Sequence, residues 1–128
     1  MITSTNDKIK ILIVEDEQIL IRMYQEKFEQ AGFEVVSALD AESGLALAKN
    51  EKPDIVILDI LLPQHNGLFF LEQARKENEL ALTPIIAFSN YDDPKTIQRA
   101  KELGVKDYLI KTNYTPDEIV AKISAIVK

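Results

Sequence analysis

Five short apolar runs alternate with five amphipathic stretches along the chain. The runs cover residues 9–14, 33–38, 55–58, 85–88 and 108–110, and within 11–14, 55–58 and 85–88 every side chain is aliphatic or aromatic. Runs of this kind predict central parallel strands covered on both faces. The intervening stretches have helical period. Leu20, Met23, Tyr24, Phe28 and Ala31 form the first apolar face, which Gly32 ends in a left-handed cap. Ala41, Gly44, Leu45 and Ala48 form the second, opened by Asp40 as N-cap. Gly67, Phe70, Leu71 and Ala74 make the third. The fourth starts at Asp93-Pro94 and stops at Gly104. The fifth starts at Thr115, in capping-box spacing with Glu118, and carries Ile119, Val120, Ile123, Ile126 and Val127.

The pattern predicts one α/β domain over 1–128, (βα)5, with a polar tail at 1–8 and no room for an output domain after the fifth helix. Such alternation implies a doubly wound, five-stranded parallel sheet of flavodoxin-like type, with order 2-1-3-4-5 expected. Composition narrows the chemistry. The 128 residues are 46% hydrophobic and 28% charged, an ordinary globular balance. There is no cysteine and one histidine, His65, so thiolate sites are excluded and an imidazole-built metal site is not expected. No apolar run approaches a membrane span and no signal peptide opens the chain, so the expected location is the cytoplasm. A formal net charge of -6 argues against direct nucleic-acid binding and for a protein partner or small ligand.

Functional crevices of open parallel sheets lie beyond the carboxyl ends of the strands. There the sequence places Glu15 and Asp16 after strand one, Asp59 after strand three, Ser89 after strand four and Lys111 after strand five. Singly, each has an ordinary reading: a helix cap for Asp16, a solvated charge for Glu15 or Lys111, a turn residue for Ser89. Together they put three carboxylates, a hydroxyl and an ammonium on one rim. Crowded carboxylates call for a cation, and a few hard oxygen ligands suit Mg²⁺. A dication beside a lysine and a hydroxyl makes a cradle for a phosphoryl group, with Asp59 as the carboxylate nucleophile.

The chain from Ile9 onward resembles the receiver domain of two-component response regulators. The resemblance rests on Val14-Glu15-Asp16-Glu17, on Asp59-Ile60-Leu61-Leu62-Pro63 followed by Gly67, on Ser89, and on Lys106-Asp107-Tyr108-Leu109-Ile110-Lys111. It implies that Asp59 accepts a phosphoryl group from a sensor histidine kinase, a phosphotransfer protein or a small phosphodonor. It further implies that Asp16, Asp59 and the Leu61 carbonyl ligate Mg²⁺ directly, and that Glu15 acts mostly through water. Lys111 then binds a phosphoryl oxygen, Ser89 moves towards the group, and Tyr108 turns inward. The surface of helix four, strand five and helix five changes with them and meets an output protein. The chain is then no enzyme beyond its own phosphorylation and slow dephosphorylation, and a monomer or a phosphorylation-dependent dimer.

Some positions depart from that family's pattern. Thr112 stands where a proline usually follows the lysine, which predicts a trans Lys111–Thr112 bond. Asn90 is larger than the usual alanine or glycine, and Leu61 and Tyr91 flank the site with bulk. A dinucleotide-binding module is opposed by Glu15-Asp16-Glu17 in place of a glycine-rich turn. A flavodoxin-like electron carrier would need a phosphate loop rich in Ser, Thr and Gly. A phosphatase with an aspartate nucleophile usually has a second acid where Leu61 stands. The serious rival is a receiver-fold interaction module controlled by binding alone.

Overall fold

The computed structural model describes residues 8–127, so all of the expected polar tail except Lys8 lies outside the described residues. The elements are β1 (Lys10–Val14), α1 (Gln18–Gln30), β2 (Glu34–Ala38), α2 (Ala41–Glu51), β3 (Ile55–Leu58), α3 (Gly67–Lys76), β4 (Ile85–Ser89), α4 (Pro94–Glu102), β5 (Asp107–Ile110) and α5 (Pro116–Val127). A single 3-10 turn, Lys111–Asn113, separates β5 from α5. All four strand pairs are parallel, as the alternation predicts, and the order is β2-β1-β3-β4-β5, the one expected for a flavodoxin-like sheet.

Pleating divides the apolar strands between two cores. Leu12, Val14, Val56, Leu58, Ile85 and Ala87 face α2, α3 and α4 with Phe70, Leu71 and Ala100. Ile11, Ile13, Ile55, Ile57, Ile86 and Phe88 face α1 and α5 with Tyr24, Phe28 and Ile123. Burial on both faces is why these strands read as unbroken apolar runs.

The helix ends follow local chemistry. Asp40 accepts the Ser43 N–H at 2.8 Å and Asp93 the Thr96 N–H at 3.0 Å. Thr115 and Glu118 exchange reciprocal bonds of 2.7 and 3.2 Å. Gly32 and Gly104 take φ of 96° and 89°, a region glycine enters freely. After each, a 6→1 bond (Phe33 N–H to Phe28 O, Val105 N–H to Ala100 O) closes a Schellman cap.

Four details correct the sequence reading. The buried face of α1 is centred on Ile21, Tyr24 and Phe28, and Ala31 is exposed because it is the C-cap, where the helix has already ended. Ile126 is exposed near the end of α5, whose buried contacts come from Ile119 and Ile123. Phe33 lies outside β2, since its N–H closes the α1 cap. Ser89 is the last residue of β4, paired with Ile110, and not the first after it.

Arg75 of α3 has no counterpart in the sequence reading. Its guanidinium donates to the carbonyls of Leu80, Ala81, Thr83, Leu103 and Gly104 at 2.8–3.2 Å, tying the segment before β4 to the segment before β5. Burial lowers its pKa from the ordinary value.

Candidate functional site

The acidic residues are fixed by a ladder that runs one step past the strands. The Glu15 N–H is donated to Ala38 O at 3.0 Å and the Asp59 N–H to Val14 O at 2.9 Å. Edge strand β2, which carries no candidate residue, thus holds Glu15 in place. Both carboxylates are buried, Glu15 with 3% and Asp59 with 6% of their surface exposed, while Asp16 is exposed. Asp16 does not cap α1; Glu17 holds that position, without a side-chain bond.

Carboxylate oxygens of Glu15, Asp16 and Asp59 lie within 4.8 Å of one another. Lys111, at the start of the 3-10 turn, reaches across from β5. Its Nζ donates to Glu15 Oε1 at 2.6 Å and to Asp59 Oδ2 at 3.3 Å. Of the two carboxylates, Glu15 is the nearer partner of the lysine. Ser89 is wholly buried, and its Oγ accepts the Tyr91 N–H at 3.1 Å. Tyr108 is buried, and its hydroxyl is donated to the Tyr91 carbonyl. Leu61 is 53% exposed, and its N–H is donated to Asp59 Oδ1 at 3.2 Å. Tyr91 is exposed on the other flank, and His65 is an exposed loop residue stacked on Phe69. The Lys111–Thr112 bond is trans, as is every peptide bond of the described residues.

The electrostatics follow from crowding. Burial pushes Glu15 up to about 7; Lys111 opposes this and the charge of Asp59 adds to it. Burial pulls Lys111 down, but the bond to Glu15 and the charges of Asp59 and Glu15 outweigh it and leave the ammonium above its ordinary value. Burial raises Tyr108 to about 12, so the phenol keeps its proton at neutral pH.

The Glu15 shift makes a prediction. Its folded pKa of about 7 lies above the ordinary value of 4.5 that it has in the unfolded chain, so the native state holds a proton that the unfolded chain has released between those values. Stability associated with that proton is full below pH 4.5 and is lost as pH rises through about 7. In chelator, the parent should lose roughly 2 kcal/mol relative to Glu15→Gln between pH 5 and pH 8, as read from urea unfolding. Parallel stability curves for the two proteins would refute this account of Glu15.

The cluster has the donor set of a site for a hard dication: carboxylate oxygens from two strand ends, without sulfur or imidazole among them. The model of the response regulator receiver domain family matches residues 11–124. The chain belongs to that family. Among relatives of this receiver chain is the alkaline phosphatase synthesis transcriptional regulatory protein PhoP of Bacillus subtilis, 34% identical over 119 residues. The match covers 93% of this chain and 48% of PhoP, and the chain spans about half the length of the curated relatives it matches. Among solved structures, a CheY-like receiver domain from Methanospirillum hungatei superposes with a TM-score of 0.88 at 27% identity, covering 94% of each chain. Vibrio cholerae CheY4 gives 0.85 at 26%, covering 93% of this chain and 98% of that one.

The family makes this a receiver domain of two-component signalling, a regulatory module and not a classical enzyme. Response regulators work with histidine kinases and output effectors, and PhoP is by its name a transcriptional regulator. No helix among the described residues is long and apolar enough to cross a membrane.

Proposed function

We propose that Asp59 is the phosphoryl acceptor of this receiver domain and that its phosphorylation sets the output face. The observation that carries the reading is the position of Lys111, whose ammonium bridges Asp59 and Glu15 at the mouth of a cluster of three carboxylates. A carboxylate needs no base to become a nucleophile. Asp59 Oδ2 attacks the phosphorus of a donor; a new P–O bond forms as the bond from phosphorus to the donor breaks. The leaving group departs as acetate from acetyl phosphate, or as the imidazole side chain of a kinase phosphohistidine, whose P–N bond breaks and whose freed nitrogen takes up a proton from water. Lys111 exchanges its bond to Asp59 for one to a phosphoryl oxygen, and its charge offsets that of the incoming group.

Asp16, Asp59 and the Leu61 carbonyl would hold Mg²⁺ directly, with Glu15 beside them, and the ion would supply charge neutralisation for the transferring oxygens. Ser89 donates its hydroxyl to the acyl phosphate, giving up the contact its oxygen makes with the Tyr91 N–H. Tyr108, bonded to the Tyr91 carbonyl, registers that change on the face of α4, β5 and α5. The partners proposed are a histidine kinase or phosphotransfer protein on the input side and a protein on the output side.

Acetyl phosphate with Mg²⁺ should add one base-labile phosphoryl group per chain, seen by intact-mass spectrometry and mapped to the peptide holding Asp59. Asp16→Asn should raise the Mg²⁺ needed for half-maximal labelling by about tenfold or more. A chain that folds, binds Mg²⁺ and takes no label would favour the rival in which binding alone controls the fold.

A further inference from the structure

The ladder between β4 and β5 ends at the pair Ser89 and Ile110. Beyond it the two strands diverge, one into the loop that carries Asn90 and Tyr91, the other into the 3-10 turn that begins at Lys111. A side-chain contact joins this loop to the turn. The Asn90 Oδ1 accepts the backbone N–H of Thr112 at 3.1 Å, across 22 residues of chain.

The bond needs a backbone N–H at residue 112 and a side-chain acceptor at residue 90. The first N–H groups of a helical turn have no partner within the turn. The turn's own closing bond, from Tyr114 N–H to Lys111 O, is long at 3.4 Å. Thr112 offers an N–H that a proline at this position would lack, and Asn90 offers an oxygen that alanine or glycine would lack. The two departures that the sequence shows separately thus meet in one hydrogen bond, a side-chain rung added to the end of the sheet.

We propose that Asn90 is a positioning residue for phosphoryl transfer, acting through the main chain of the Lys111 turn. Lys111 carries its ammonium on a flexible stem, and the direction of its backbone sets which of that stem's rotamers reach Glu15 and Asp59. The rung anchors the residue directly after Lys111 to the residue directly after Ser89. The two groups on the far side of the site, ammonium and hydroxyl, are thereby held in one frame. Asn90 is exposed, and its Oδ1 bonds the turn, outside the apolar core.

This inference rests on the reading of Asp59 as acceptor, and its test separates the two. Asn90→Leu keeps volume and removes the acceptor; Asn90→Ala removes both; Asn90→Asp keeps an acceptor. Amide hydrogen exchange at Thr112, followed by NMR in Mg²⁺-free buffer, should be about tenfold faster in the Leu and Ala variants and protected in the Asp variant. The limiting rate of labelling by acetyl phosphate should fall about fivefold in the Leu and Ala variants, with the thermal midpoint held near the parent's. Equal Thr112 exchange in parent and Asn90→Leu would remove the rung itself. Lost protection with unchanged labelling would show that the rung exists and positions nothing. A folded parent that takes no label would overturn the acceptor reading, and this inference with it.

Discussion

Asp59→Asn should abolish covalent labelling by acetyl phosphate while leaving the chain folded. The substitution keeps shape and one oxygen, so Oδ1 can still accept the Leu61 N–H. It replaces the oxygen that faces Lys111 at 3.3 Å by an amide nitrogen, which has no nucleophilic lone pair and turns a donor towards an ammonium. The rate should drop by about 10³ or more, equivalent to roughly 4 kcal/mol of barrier. Stability should move the other way. Asp59 adds to the electrostatic crowding of Glu15, so its neutralisation relieves a charge from a buried cluster. The thermal midpoint in chelator should be equal to or above the parent's. Intact-mass spectrometry after acetyl phosphate treatment reads the first effect and a melting scan the second. A labelled Asp59→Asn chain would move the nucleophile elsewhere.

What could be read from the chain was whatever depends on neighbours in sequence. Strand cores were visible because burial on both faces leaves no polar position in the runs at 11–14, 55–58 and 85–88. The caps at Asp40, Asp93 and Thr115 were visible because each bonds an N–H three residues on. The crevice was visible because a parallel sheet brings its carboxyl ends to one rim, so position after a strand translates into position in space. That rule placed Glu15, Asp16, Asp59, Ser89 and Lys111 at one end of the sheet.

The failures have the opposite character. Arg75 gathers five carbonyls from segments up to 29 residues away, and nothing beside it in sequence signals them. The bond between Glu15 and Lys111 joins residues 96 apart, so the sequence could group them but not pair them. The α1 face was misjudged by extending the apolar stripe to Ala31, one residue past the helix, and passing over Ile21. Asn66 was overlooked as the cap of α3, although it accepts the Phe69 N–H at 3.2 Å.

That overlooked corner carries the other large effect. Gly67→Ala should both destabilise the fold and slow labelling at Asp59, though residue 67 bears no functional group. An added Cβ would stand 2.7 Å from the Asp59 carbonyl oxygen, 2.8 Å from Ile60 Cα and 2.9 Å from Ile60 Cδ1. Two of those three atoms are backbone and cannot rotate aside. The Gly67 N–H also bonds Ile60 O at 2.8 Å, so the start of α3 is held against the segment it would have to leave. Overpacking of this kind costs about 2–3 kcal/mol. Relief must come by shifting α3 outward or by moving the Asp59–Ile60 peptide, and the second path displaces the nucleophile. A displacement approaching 1 Å lowers a transfer rate by about 10²-fold at worst, so a loss of about tenfold is expected here. Gly44→Ala is the control. Its Cβ would meet only side chains, Val14 at 2.9 and 3.1 Å and Phe70 at 3.2 Å, which can yield by small rotations. It should cost about 1 kcal/mol and leave the labelling rate near the parent's. Urea unfolding and the rate of acyl-phosphate formation, measured on both variants, decide it. If Gly67→Ala matched Gly44→Ala in stability and in rate, the close approach of α3 to the back of Asp59 would have no part in shaping the site.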